Sequence, residues 1–224
     1  MPPFLVYLHG LNSSSQSSKA TVLRERLAPY PVLAVDYPAH RPDEAIRRLS
    51  HFFSELGEVC PAVIGSSMGG FYGQSLARRF RFSHLYLVNP ALTPWVFLGK
   101  HLGETMTTQA GERYLITQAL CDSTRAYALA DPCDGQPTTV FLDRGDEVID
   151  YRIAERIHAE CGRLLIWDGG DHALFVRRRS CGKRSDADCA VGDGALAACR
   201  IVRGARVVVV VQAQAQYRAA DGGH

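Results

Sequence analysis

The stretch Val63–Gly73, VIGSSMGGFYG, opens as a β-branched strand and closes among glycines that suit a sharp bend. Gly65 and Gly69 stand two residues before and two after Ser67, the G-x-S-x-G spacing. Glycines at those offsets let a strand turn straight into a helix, so tightly that the serine between them is strained and its hydroxyl stands clear of the sheet. Ala62–Ile64 supply the strand and Phe71–Phe80 the helix, and Gly70 permits close packing of one on the other. Ser66 has Ile64 and Met68 at the same offsets and lacks the glycine frame. The spacing alone is weak, because glycine and serine are common. Its strand–turn–helix setting strengthens it.

Outward from this bend, six short apolar runs recur, each ending in turn residues. They are FLVYLHG from Phe4, VLAVDYP from Val32, AVIGSS from Ala62, HLYLVNPA from His84, TTVFLDRGD from Thr138 and RLLIWDGGDH from Arg163. Near-continuous apolar character predicts strands buried on both faces. Helical patterns lie between most of them. Ser17 or Ser18 caps KATVLRERLA, with Ala20, Leu23 and Leu27 on one face. PDEAIRRLSHFFSELG presents Ala45, Leu49, Phe52, Phe53 and Leu56, with Pro42 near its start and Gly57 at its end. FYGQSLARRF and DYRIAERIHAECG complete the set. This alternation predicts an α/β protein: a three-layer α/β/α sandwich around a mainly parallel six-stranded sheet. Residues 91–137 carry no strand signal and read as short helices. They form either a small lid over the ligand crevice at the strands' carboxyl ends or an ordinary helical excursion covering the sheet.

The 224 residues, 46% hydrophobic and 21% charged, suit one globular domain with a sizeable core. The longest aliphatic run, Val207–Val211, is far too short to span a membrane. The start, MPPFLVYLHG, has no basic segment or cleavage site, which predicts a cytoplasmic protein with reduced thiols. Seven cysteines without a C-x-x-C pair indicate neither a metal site nor a redox dithiol. The net charge of +2 is uneven: residues 177–224 hold nine basic and four acidic side chains, so the body is slightly acidic and offers no nucleic-acid footprint. The expected division is therefore a domain over 1–176 and an atypical basic, Ala/Val-rich tail over 177–224. Two readings of the tail are open. One is translation outside the original frame of a GC-rich gene; the other is a loosely packed extension in which Val207–Val211 adds an edge strand.

A serine hydroxyl is a poor nucleophile until an imidazole takes its proton and a carboxylate holds that imidazole's tautomer. Enzymes built on such a bend place these partners in the order Ser, Asp or Glu, His, on loops past strand ends. DRGDEVID follows the fifth strand and GGDHALF the sixth, which nominates Asp146 and His172 as partners of Ser67. Asp143 competes with Asp146 but is better suited to fixing the turn. Asp168 and Asp171 read as shaping the histidine's own loop. His40, His51, His84, His101 and His158 read as surface or packing residues, and His9 as a brace for the turn at Gly10. Charge developing on an acyl oxygen needs main-chain donors. Those expected are the N–H groups of Met68 and of Leu11, the latter in LHGLNSSS, with Gly10 allowing close approach.

Together YLHGLNSSSQSSKA, GSSMGGFYG, LVNPA, GDEVIDY and GGDHA resemble the YqiA-like esterases, a small bacterial branch of the α/β-hydrolases, over about Phe4 to Phe175. The resemblance implies an α/β-hydrolase fold lacking the first two strands of larger members, with no metal or cofactor. It also implies a small-molecule carboxylic ester or thioester substrate, such as acyl-CoA, with Ser67 as nucleophile, Asp146 as acid and His172 as base. Acyl transfer on the same residues, or a non-catalytic binding role, are the alternatives. The likeness ends after Phe175, where the family closes with an amphipathic helix and this chain continues VRRRSCGKRSDADCAVGDG.

Overall fold

The computed structural model describes residues 4–129, 135–169, 172, 198–203 and 206–211. Six strands form the main sheet: β1 (Leu5–Leu8), β2 (Val32–Val35), β3 (Ala62–Ser66), β4 (His84–Val88), β7 (Thr138–Asp143) and β8 (Arg163–Trp167). Its order is β2-β1-β3-β4-β7-β8, and every pairing is parallel. β1, β3 and β7 are buried along their whole length, as their unbroken apolar sequences require, whereas β2 and β8 at the two edges are partly exposed.

Alternate side chains feed two cores. Val6, Leu8, Val63, Leu85, Leu87, Val140 and Leu142 point to one face, where α2 (Pro42–Glu55) and α3 (Met68–Leu76) cover them with Leu49, Phe53, Phe71 and Leu76. Leu5, Tyr7, Ile64, Tyr86 and Phe141 point to the other, against Ala20, Leu23 and Leu27 in and just after α1 (Ser18–Arg26). Helices on both faces of a parallel sheet make the expected three layers. Ser17 caps α1 by accepting from the Ala20 N–H, and Asp150 caps α6 (Tyr151–His158) by accepting from the Arg152 N–H. In α2, Ile46 joins the buried stripe and Phe52 is only partly covered.

The bend at Ser67 is tighter than the sequence reading has it. α3 begins at Met68, immediately after the serine, rather than at Phe71, and ends at Leu76. Gly69 and Gly70 are themselves helical, because α3 runs so close to the sheet that no side chain fits there. A Cβ on Gly69 would lie 2.1 Å from the Leu8 carbonyl oxygen, and one on Gly65 2.5 Å from the Gly69 carbonyl oxygen.

Between β4 and β7 lie α4 (Pro94–Lys100), a hairpin of β5 (Thr105–Thr107) and β6 (Arg113–Leu115), and α5 (Gln118–Arg125), gathered on a small core of Leu98, Ile116 and Cys121. The hairpin departs from the all-helical expectation: each strand has three residues with only the middle one turned inward, too few to show a period. In the tail, β10 (Arg206–Val211) pairs antiparallel with β9 (Ala198–Arg203) in a separate two-stranded sheet, so the valine run is a strand but does not extend the main sheet. The boundary at 176/177, Asp171 and Phe175 lie outside the described residues. Cys60 and Cys121 are free thiols, whereas Cys161 is in a disulfide, contrary to the expectation of reduced thiols throughout. Among the described residues no helix is long and apolar enough to cross a membrane.

His84, at the start of β4, stacks on Tyr86 and meets the Thr139 hydroxyl at 2.9 Å. Burial, and secondarily the charge of Arg163, push its pKa from 6.5 down to about 4. Between those values the unfolded chain holds a proton that the folded one does not, so stability is complete above the upper value and falls as pH drops toward the lower one. Urea midpoints are expected to decline across this window, and His84→Gln to flatten the decline. Buried His9 and His158, shifted in the same direction, keep it from vanishing. For the bend, Gly69→Ala is expected to cost about 3 kcal/mol or more. Gly73→Ala meets the tip of Leu85 at 3.3 Å and is expected to stay within about 1 kcal/mol of the parent. Urea titration of the two variants measures the difference.

Candidate active site

Because the strands run parallel, the segments following β1, β3, β7 and β8 all emerge at one rim of the sheet, where open α/β sheets hold their ligands. β3 delivers Ser67 there with φ 54° and ψ −120°, a backbone region that a side chain rarely occupies. The glycine packing holds it in place. Segments after β7 and β8 deliver Asp146 and His172. The His172 Nε2 lies 3.0 Å from the Ser67 Oγ, and its Nδ1 lies 2.8 Å from the Asp146 Oδ2. The other carboxylate oxygen of Asp146 accepts the N–H groups of Val148 at 2.9 Å and Ile149 at 2.7 Å. The Asp146 side chain is 1% exposed and that of His172 20% exposed. With its carboxylate filled by three donors, Asp146 can orient the ring through an Nδ1–H bond, which leaves the Nε2 lone pair toward the serine hydroxyl.

The rival carboxylates take other partners. Asp143 is buried against Asn89: the Asn89 Nδ2 donates to its Oδ2 at 3.2 Å, and its own N–H donates to the Asn89 Oδ1 at 2.9 Å. Asp168 pairs with Arg144 at 2.7 Å in solvent. Ser66 accepts from the Lys19 Nζ at 3.1 Å.

Met68 and Leu11 both line the cavity at this rim. Met68 is the first residue of α3, so its N–H has no acceptor within the helix. Leu11 sits on the loop after β1, which is bonded from two sides. The Tyr37 hydroxyl donates to the His9 carbonyl at 2.5 Å, and Ser15 donates to Asp36 through its N–H at 2.7 Å and its hydroxyl at 2.6 Å. Burial raises the Asp36 pKa, but the two Ser15 bonds outweigh it and hold the carboxyl below its usual range. From the other side, the Tyr114 hydroxyl of β6 donates to the Asn12 Oδ1 at 2.9 Å, and the Gln109 N–H donates to the Asn12 carbonyl at 2.9 Å. Asn12 takes a positive φ of 60° to accept both. His9 meets the Gly10 carbonyl through Nδ1 at 2.9 Å and stacks on Tyr37, as its bracing role requires. Burial lowers its pKa and keeps the ring neutral.

The cavity, about 400 Å³, has an apolar wall from the insertion (Pro94, Phe97, Leu98 and Met106) and from Val148 and Ile149. Its polar wall includes two charged residues that sequence reading passed over, Lys19 and Glu147. Lys19 lies in the first turn of α1 and reads as a solvated charge, while Glu147 reads as the exposed neighbour of Asp146. Among the described residues no group of histidines, cysteines and carboxylates is arranged to hold a metal ion.

Comparison with known proteins agrees with this architecture. A UPF0227 protein of Pectobacterium carotovorum subsp. carotovorum is 23% identical over 169 residues, covering 73% of this chain and 86% of its own. The structure of Est1E from Butyrivibrio proteoclasticus with bound ferulic acid superposes with a TM-score of 0.62 at 14% identity, over 76% of this chain and 81% of the other. Alpha/beta hydrolase domain-containing protein 10 from mouse superposes with a TM-score of 0.59 at 15% identity, over 77% and 82%. At such identities the likeness establishes the fold, which is that of the α/β-hydrolases. Residues 4–178 match the family described as Uncharacterised protein family (UPF0227), the YqiA-like family, and the chain belongs to it.

Proposed function

We propose that the protein is a serine hydrolase that cleaves carboxylic ester or thioester bonds through an acyl-enzyme on Ser67. The observation that carries this reading is the continuous relay from Asp146 to His172 to Ser67, with links of 2.8 and 3.0 Å. Both lie in the range needed for proton transfer between a nucleophile and its base. The Ser67 Oγ attacks the acyl carbonyl as the His172 Nε2 takes its proton, while Asp146 orients the ring and stabilises the imidazolium that forms. The proton passes to the departing alcohol or thiol. Water then attacks the acyl carbonyl as His172 takes its proton, and that proton passes to the Ser67 Oγ as the acyl–oxygen bond breaks and the acid leaves. The N–H groups of Met68 and Leu11 receive the negative charge on the tetrahedral oxygen. The acyl group lies against Phe97, Leu98 and Met106, which favours short apolar acids over charged ones. No residue of the site calls for a metal or cofactor in this sequence of steps.

A fluorophosphonate probe and a p-nitrophenyl ester series test the reading. Ser67→Ala is expected to abolish labelling, and Asp146→Asn to lower kcat by roughly ten-thousand-fold while leaving the fold intact. Equal labelling of the wild type and Ser67→Ala would refute the nucleophile. Partition of the acyl-enzyme between water and added alcohol separates hydrolysis from transfer. A folded sample with no turnover on any ester would instead favour a binding role.

Gly10 supplies a second expectation. A methyl group there would lie 3.2 Å from the Ser67 Cβ and 3.6 Å from its Oγ. Gly10→Ala is therefore expected to leave the melting temperature within a few degrees of the parent yet cut kcat/KM at least about tenfold, by displacing the attacking oxygen. Paired melting and rate measurements check it.

A further inference from the structure

His172 is held at both of its main-chain polar groups by charged side chains from other parts of the fold. The Lys19 Nζ of α1 donates to the His172 carbonyl at 3.2 Å, and the Glu147 Oε2 accepts the His172 N–H at 3.0 Å. Bonds with one ionised partner are shorter and about twice as strong as neutral ones. Neither side chain touches the imidazole's relay atoms, which are engaged by Asp146 and Ser67.

Each arm also refers the histidine to a part of the relay. Lys19 donates at the same time to the Ser66 Oγ at 3.1 Å. Ser66 is the last residue of β3 and precedes the nucleophile, and its side chain is 1% exposed. The buried Tyr7 hydroxyl interacts with Ser66 and with Ser17, the cap of the helix that carries Lys19. The ammonium is thus located by the strand that carries Ser67. Glu147 follows Asp146 directly, so one loop orients the ring with one residue and the main chain with the next. An imidazole hung from its ring bonds alone can pivot. One whose N–H and C=O are both fixed has its distance to the serine determined.

We propose that Lys19 and Glu147 are positioning residues that clamp the main chain of His172 and set the reach of its ring to Ser67. This rests on the hydrolase reading above and adds to it two residues outside the triad and the oxyanion donors. Loss of either arm leaves in place the apolar wall assigned to the acyl group but lets the base drift, so the effect falls chiefly on the chemical step. A displacement of about 1 Å in such a group can cost on the order of a hundredfold.

The test uses the full-length chain with p-nitrophenyl butyrate, with Ser67→Ala as the control. Lys19→Met and Glu147→Ala are expected to lower kcat about 10- to 100-fold, with KM within about twofold and melting temperatures near the parent. Glu147→Gln keeps an oxygen acceptor and Lys19→Arg keeps donors, so both are expected to recover most of the rate. If Glu147→Ala fails to fold, Glu147→Leu, which retains more volume, carries the same expectation; for Lys19→Met the stand-in is Lys19→Leu, which likewise offers no donor. Parent-like kcat in both truncations would overturn the clamp. So would a loss confined to KM, which would make Lys19 a substrate-binding cation, or a Glu147→Gln as impaired as Glu147→Ala. If wild-type turnover survives Ser67→Ala, the hydrolase reading itself fails and takes the clamp with it. Abolished turnover in Ser67→Ala beside parent-like Lys19→Met and Glu147→Ala overturns the clamp alone.

Discussion

The site depends on a contact with no side chain in it: the α-carbon of Gly69 lies so close to the Leu8 carbonyl that a methyl group there would stand 2.1 Å from the oxygen. That contact lets α3 start directly over the junction of β1 and β3. With the helix so placed, one residue must reverse the chain, and Ser67 does so in a conformation usually left to glycine. The strain is sustained because Gly65, Gly70 and the buried flanks of both elements determine the path around it. The same compression makes Met68 the first helical residue, so its amide has no acceptor within the helix. If the hydrolase reading holds, one steric condition thus serves both the attacking hydroxyl and a main-chain donor.

Parallel pairing does the rest of the assembly. Asp146 and Ser67 are far apart in sequence, yet β3 and β7 flank β4 and end on the same side, so the segments that follow them are neighbours. Asp146 is buried but bonded by two main-chain amides and a ring nitrogen, so its charge is not stranded in the interior. Asp143 lies three residues earlier and is buried too, but its bonds with Asn89 tie it to the end of β4. Chemically equivalent carboxylates have different partners here because one lies within the strand and the other just beyond it.

The parts of the fold that sequence makes legible are those where one physical effect dominates. Runs such as LVYL and TTVFLD are apolar on both sides of the chain because the sheet is covered on both sides, and all six main strands follow from that. Ser67, Asp146 and His172, which the structure brings within bonding distance, are legible because the hydrolase reading demands those residue types in that order. The start of α3 is not, since glycines at positions 69 and 70 read as turn although packing makes them helical. Nor is the hairpin at Thr105–Leu115, whose short strands are stabilised by long-range bonds to Asn12. Lys19 and Glu147 look like ordinary surface charges, because their engagement with His172 links residues distant in the chain. The valine run of the tail is recognisable as a strand, but its partner at Ala198–Arg203 has no comparable pattern.

The double attachment of Asn12 to the hairpin has a consequence for how such a protein can change its preferences. Tyr114 and Gln109 fasten the loop that carries Leu11, and the same hairpin contributes Met106 to the wall of the cavity. If Leu11 serves as the hydrolase reading has it, the surface that measures the acid and the amide that steadies its transition state belong to one mechanical unit. Selection for a bulkier or smaller acid through this hairpin would then trade breadth against speed. Phe97 and Leu98 on α4 border the same space but pack into one small core with Met106, Tyr114 and Leu11, so a change there would be felt by the same unit.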